Sequence, residues 1–211
     1  MLNSCWSSVI SKLISKEKTA LGDLFRPIMS KHASPGASLR GTTVETISRS
    51  INTNRNVSIQ ITNYSSKYTL VEPSVYTYSG SCRSPPQPTI HKHTQEVCCF
   101  SKTGNTACGS VGVLTYKILP DDKLHHPGKL AIMFSVPYNY NHYENWFALG
   151  IFELGIACNK DLYKQMYYDC GPFKREKGTG SVLTYSSKTV DLSGTMSPQG
   201  YSVIKVELSD K

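Results

Sequence analysis

The chain has 211 residues, a formal net charge of +8 and only 18% charged residues. That length holds one domain plus a tail, with room for a full hydrophobic core. The excess of Lys and Arg favours an anionic partner, but the basic residues are scattered, with no Lys/Arg-rich block of the nucleic-acid type, and no apolar run approaches the ~20 residues of a spanning helix. In chain order, residues 1–26 read as an amphipathic helix. Leu2, Trp6, Val9, Ile10, Leu13, Ile14, Leu21, Leu24 and Phe25 fall on one side, with Lys12 and Lys18 elsewhere. Pro27 ends it, and its many serines lower helix propensity in water. Residues 29–36 contain Ser, Pro and Gly and read as a linker. The expected division is an N-terminal extension and linker at 1–35 and a domain at 36–211. The first residues lack the continuous apolar stretch of a signal peptide, so the expectation is a soluble form, cytosolic or secreted without a visible signal. Val44, Ile47 and Ile51 have helical spacing and predict a second, weaker helix over about 37–52.

From Arg55 onward the pattern switches to strands. Val57, Ile59 and Ile61 alternate with polar residues, and runs at 68–71, 97–100, 111–119, 130–136, 146–154, 181–185 and 203–208 follow, separated by Gly, Pro, Asn or Asp turns. Many short strands at this spacing predict a mainly β fold, a β-sandwich flanked by α-helices. Asn56-Val-Ser and Asn63-Tyr-Ser are glycosylation sequons that matter only on the secretory route.

Residues 134–147 carry Phe134, Tyr138, Tyr140, Tyr143, Trp146 and Phe147 with almost no charge. Rings with a polar edge suit a membrane–water interface, and ring faces attract quaternary ammonium groups such as choline. A strand running into a core-packing loop explains the same composition. At 159–168, Asn159 is a good N-cap and Asp161 lies in the first turn. Leu162 and Met166 share one helical face, and Tyr163 and Tyr167 share the neighbouring one. Either this helix presents tyrosines beside the aromatic loop, or its Leu/Met stripe packs on a sheet with tyrosines filling the rim.

Seven cysteines, Cys5, Cys82, Cys98, Cys99, Cys108, Cys158 and Cys170, include no CxxC spacing. Adjacent Cys98 and Cys99 project to opposite faces of a strand and cannot serve one site. With His91 and His93 they match no zinc pattern, so no metal site and no cofactor are expected, and the thiols read as free and structural. His125-His126 and Asp121-Asp122 form no nucleophile–base pattern, and Asp121-Asp122 between Pro120 and Gly128 read as a hairpin loop. No catalytic residues and no enzyme activity are expected.

The chain resembles the actinoporins, the pore-forming cytolysins of sea anemones, and most of all the actinoporin-like proteins of vertebrates. The resemblance rests on Gly-Ala-Ser-Leu at 36–39, Gly-Ser-Val-Gly-Val-Leu-Thr-Tyr at 109–116 and Leu-Ala-Ile-Met-Phe-Ser-Val-Pro-Tyr-Asn-Tyr-Asn at 130–141. Asn-Trp-Phe at 145–147, Leu-Tyr-Lys-Gln-Met-Tyr-Tyr at 162–168 and Pro-Phe at 172–173 complete it. It implies a β-sandwich flanked by helices and a phosphocholine site with a preference for sphingomyelin, formed by Ser79, Val111, Ser135, Pro137, Tyr138, Tyr163, Tyr167 and Tyr168. It also implies membrane-interface residues at Tyr140, His142, Tyr143, Trp146 and Phe147. The implied partner is phosphocholine lipid, with a monomer in solution, a homo-oligomer on the target cell membrane and a cation-conducting pore. The anemone relatives keep their toxins in nematocysts.

The chain departs from that pattern in three places. His142 stands where the anemone toxins have a tryptophan, and Phe147 replaces another. Lys174-Arg-Glu stands where an Arg-Gly-Asp triplet is expected. The residues before Gly36, Lys31-His-Ala-Ser-Pro, are polar where the family has an apolar inserting stretch. Either residues 2–26 take over insertion, or the chain is a non-lytic lipid- or glycan-binding module on the same fold.

Overall fold

The computed structural model describes residues 34–35, 43–122 and 127–211; the amphipathic segment expected at 1–26 lies outside them. Two sheets form a sandwich. Sheet A runs β1 (Ser34–Pro35), β6 (Thr94–Ser101), β2 (Asn56–Asn63), β13 (Tyr201–Asp210), β12 (Val190–Met196) and β11 (Leu183–Ser186), with β4 (Ser81–Ser84) also on β6. Sheet B runs β10 (Phe173–Lys177), β9 (Trp146–Phe152), β8 (Gly128–Val136), β7 (Ser110–Pro120), β3 (Tyr68–Ser79) and β5 (Thr89–Ile90). Two short helices, α1 (Val44–Ser50) and α2 (Lys160–Tyr168), flank the sheets. The β-sandwich flanked by helices that the sequence predicts is the fold observed.

The main core lies between the sheets. Val57, Ile59 and Ile61 from β2, Phe100 from β6 and Ile204, Val206 and Leu208 from β13 meet Leu114 and Ile118 from β7, Leu130, Ile132 and Phe134 from β8 and Leu149 from β9. Alternation along each strand gives this face every second residue. In β7 to β9 many of the remaining residues are apolar too. Val111, Val113, Ala131, Met133 and Ala148 face Leu162, Tyr163 and Met166 of α2. Strands covered on both faces read as continuous apolar runs, which is why 130–136 shows no polar alternation.

Helix α1 packs on the outer face of sheet A through Val44, Ile47 and Ile51, against Val97, Cys99 and Val203. It is shorter than the 37–52 expected, as far as it is described. Thr43 caps it, and the buried Ser48 hydroxyl donates to Asn56 Oδ1 at 3.0 Å. The Glu45–Lys205 ion pair, 2.6 Å but about half exposed on both sides, adds little beside this burial.

β4, β5, β10 and β12 were not expected from the sequence. The chain leaves sheet B and enters sheet A between β3 and β4, at Gly80, with φ +89°. A β-carbon there would collide with the Ser101 carbonyl oxygen, so glycine alone allows this sheet change. Both sequon asparagines are fully buried. Asn56 Oδ1 accepts from Ser48, and Asn63 Nδ2 donates to the carbonyls of Tyr68 and Ile90. Neither can carry a glycan in the folded domain.

Cys98 and Cys99 do face opposite sides, Cys98 toward the main core and Cys99 toward α1. Burial pushes both thiols up, Cys98 well up. Cys108 goes the other way. Partial burial pushes it up, but the Thr106 hydroxyl 2.8 Å from its Sγ, together with Ser79 and Thr103, outweighs that and holds it below its ordinary value. Since the thiolate is the reactive form, iodoacetamide at neutral pH is expected to modify Cys108 in the folded protein while Cys98 and Cys99 stay intact until unfolding. Peptide mass mapping reads the order; modification of Cys98 in folded protein would contradict it. Among the described residues no group of His, Cys, Asp and Glu is placed to hold a metal.

Candidate functional site

One row of residues crosses sheet B at the end where the aromatic loop emerges. Ser79 pairs with Val111, Val111 with Ser135, Ser135 with Trp146, and Trp146 with Lys177, in register over β3, β7, β8, β9 and β10. Three of the eight residues expected at a headgroup site, together with Trp146, are therefore cross-strand neighbours. Ser79 Oγ donates to the Gly109 carbonyl at 3.2 Å, which ties β3 to the start of β7. Val111 and Ser135 are nearly buried beneath α2.

Helix α2 lies over this row. Asn159 Oδ1 accepts from the backbone N–H groups of Asp161 and Leu162, satisfying two of the helix's free donors. Leu162 and Met166 are buried on the sheet, as their spacing predicts. The tyrosines follow the same helical pitch. Tyr163 and Tyr167 have ring centroids 5.8 Å apart, Tyr167 and Tyr168 4.7 Å apart in an edge-on arrangement, and Tyr78 from β3 stacks on Tyr163 at 4.9 Å. Exposure rises along the series. Tyr163 is 4% exposed and Tyr168 68%. Burial pushes the Tyr163 phenol far up, with neighbouring tyrosines adding to the shift. Burial also raises Tyr167, against a hydrogen bond with Ser135 and the nearby charge of Arg175.

The loop after β8 forms the other wall. Pro137 is half-buried, while Tyr138 is 42% and Tyr143 60% exposed. His142, also exposed, lies edge-on to Tyr143, with ring centroids 6.5 Å apart. Arg55, just before β2, holds this loop from below. Its Nε donates to the carbonyls of Pro137 and Tyr138 at 2.9 and 3.0 Å, and one terminal nitrogen donates again to Tyr138 O at 2.7 Å. The same guanidinium sits 4.6 Å from the Tyr140 ring centroid and 5.8 Å from that of Tyr138, and Lys102 Nζ is 5.5 Å from Tyr138.

Two of the expected interface residues are placed differently. Phe147 is fully buried in the main core, directly across from Phe134 on β8. Strand β9 begins at Trp146, so alternation sends Phe147 inward and leaves Trp146 on the α2 side. Tyr140 is half-buried; it packs against the core, and its hydroxyl donates to Asn145 Oδ1 at 2.7 Å. Trp146 keeps partial exposure beneath Lys177 Nζ, 5.8 Å from its ring. Sequence reasoning missed Tyr78 and Arg55, because neither belongs to the aromatic loop or the tyrosine helix. What joins them to the site is pairing between distant strands.

The result is an open face of rings, not an enclosed cavity. A groove of about 510 Å³, lined by Glu45, Arg49, Tyr201 and Lys205 among others, lies beside α1, and a smaller one of about 230 Å³ is lined by Tyr140, Tyr143, Asn145 and Lys177 among others. Among the described residues no helix is long and apolar enough to cross a membrane.

The sea anemone cytotoxic protein family matches residues 32–210. Bryoporin from Physcomitrium patens is 30% identical over 82% of this chain and 95% of its own length. Tereporin-Ca1 from Terebra anilis is 28% identical over 81% and 92%. DELTA-actitoxin-Aeq1a from Actinia equina is 33% identical over 107 residues, 50% of this chain, which spans about half (46%) of the toxin's length. Among solved structures, the lipid binding protein Nakanori shares the fold, with a TM-score of 0.59 at 13% identity over 79% of this chain and 75% of that one.

Proposed function

The chain belongs to the sea anemone cytotoxic protein family, of actinoporin type and not an enzyme, and from that premise we propose that it is a membrane-binding, pore-forming cytolysin. It recognises phosphocholine headgroups with a preference for sphingomyelin. It is a monomer in solution and oligomerises on the target membrane to a cation-conducting pore. The observation that carries the reading is the tyrosine cluster of α2, Tyr163, Tyr167 and Tyr168, over the row of Ser79, Val111 and Ser135, with Tyr143 of the aromatic loop near Tyr167. Ring faces attract the quaternary ammonium, and exposed phenol hydroxyls donate to the phosphate. The exposed rings enter the interfacial layer, where an apolar body and a wet hydroxyl are both accommodated. The net charge of +8 adds attraction to an anionic surface.

The test is vesicle binding and dye release, with and without sphingomyelin, for the parent and for Tyr167→Ala/Tyr168→Ala. The double variant is expected to bind choline-lipid vesicles about fivefold or more weakly, each ring contributing ~0.5–2 kcal/mol, and to remain folded with only a small fall in melting temperature, since Tyr168 is exposed and Tyr167 packs at the rim of the α2 core. Unchanged binding would reject the site. Binding by the parent without any leakage would reject the pore and leave a non-lytic lipid-binding module. Deleting residues 1–26 then decides whether that segment is the inserting element.

A further inference from the structure

We infer that Tyr78, on β3, presents the ring face that receives the quaternary ammonium group and sets the preference for it over a primary ammonium; this rests on the headgroup reading above. The β3–β7 register slips between Thr77, opposite Gly112, and Ser79, opposite Val111. Tyr78 is the extra residue of that irregularity and has no partner on β7. Such bulges free a side chain from the ladder. One face of its ring stacks on Tyr163 at 4.9 Å and an interplanar angle of 26°, yet the residue is 53% exposed. The other face is therefore open. Tyr163, at 4% exposure, has no open face of its own and serves as the backing of the stack.

Charge separates this position from Tyr138. The Tyr138 ring already has Arg55 and Lys102 within 6 Å, so a further cation there meets two positive charges. Among the described residues, no Lys or Arg lies over the ring of Tyr78, Tyr163, Tyr167 or Tyr168. Arg175 is near Tyr167, but its guanidinium donates to the carbonyls of Met166 and Asp169 at 3.0 and 3.3 Å. The negative ring faces of the cluster are thus left for an outside cation. A quaternary ammonium, weakly hydrated and without N–H donors, gains most from a bare ring face. A primary ammonium is strongly hydrated and loses more on leaving water for a ring face. The ligand is a choline headgroup in a membrane.

The experiment titrates the full chain and its Tyr78→Ala, Tyr78→Phe and Tyr167→Ala variants with two vesicle preparations. One is sphingomyelin with phosphatidylcholine; in the other, phosphatidylethanolamine replaces half of the choline lipid. Tyr78→Ala is expected to weaken binding to choline vesicles about 3- to 30-fold. It should also narrow the preference between the two preparations without lowering the melting temperature. Tyr78→Phe, which keeps the face and loses the hydroxyl, should stay within about twofold of the parent. Soluble phosphocholine should compete with the parent more strongly than phosphoethanolamine. Parent-like binding by Tyr78→Ala while Tyr167→Ala falls would overturn the role of Tyr78 and leave the headgroup site standing. An equal loss on both preparations would reduce Tyr78 to a structural part and overturn the inference. A parent that binds neither preparation would overturn the headgroup reading and this inference together.

Discussion

Phe147→Ala is expected to lower the unfolding free energy by about 3–5 kcal/mol, the cost of emptying a fully buried phenylalanine site. For a domain of this size that corresponds to a fall of about 6–20 °C in melting temperature. The ring lies opposite Phe134, which itself contacts Phe100 across the sandwich at 4.7 Å, so its removal opens space between two sheets that cannot easily close. Thermal unfolding without lipid separates this role from an interfacial one. A side chain whose task is to enter the bilayer could be truncated with little change in the free protein. Phe147→Leu keeps most of the volume and is expected to fold and bind vesicles like the parent. A stable Phe147→Ala with weakened vesicle binding would return the residue to the interface.

That correction shows where sequence reading stops. The alternation of Val57, Ile59 and Ile61 and the run at 130–136 were legible because strand period and burial are local. So was α2, whose cap and Leu162/Met166 stripe are spelled out within ten residues. The direction in which Phe147 points was not legible, because it depends on where β9 starts. A shift of one residue exchanges the two faces of a strand. β10 carries Lys174, Arg175, Glu176 and Lys177 and has no apolar alternation at all; it is a strand because β9 offers it an edge. β4 and β5 are too short to show a period. At the site, the residues on the loop and on α2 could be grouped from local motifs. Tyr78 and Arg55 could not, since they reach the others through β3–β7 pairing and through a contact spanning 82 residues of sequence.

Arg55→Ala is expected to release the aromatic loop and to cost about 1–3 kcal/mol in stability, since charge-assisted hydrogen bonds to two carbonyls are lost at a half-exposed position. The loop has few other ties. Tyr143 N–H and the Asn139 carbonyl close a turn at 3.2 Å, and Asn145 anchors its far end by donating to the carbonyls of Ser197 and Gln199. Between these, among the described residues, the Arg55 guanidinium is the side-chain donor that holds the Pro137–Tyr138 backbone, and the Tyr140 ring rests on the same group. Loss of Arg55 should raise hydrogen-exchange rates over 138–143 while leaving α2 and the core strands protected. Vesicle binding should fall as well, because Tyr138 and Tyr143 then pay an ordering cost on meeting the membrane that the parent has already met in folding. Arg55→Lys should not restore either property. A compact ammonium cannot fork across two carbonyls while lying flat on a ring, although it preserves the charge. That variant therefore separates geometry from net charge. If Arg55→Lys binds vesicles like the parent, Arg55 acts as a point charge toward the lipid surface. If it behaves like Arg55→Ala, with the same exchange pattern, the residue works by holding the loop in the shape that displays its tyrosines.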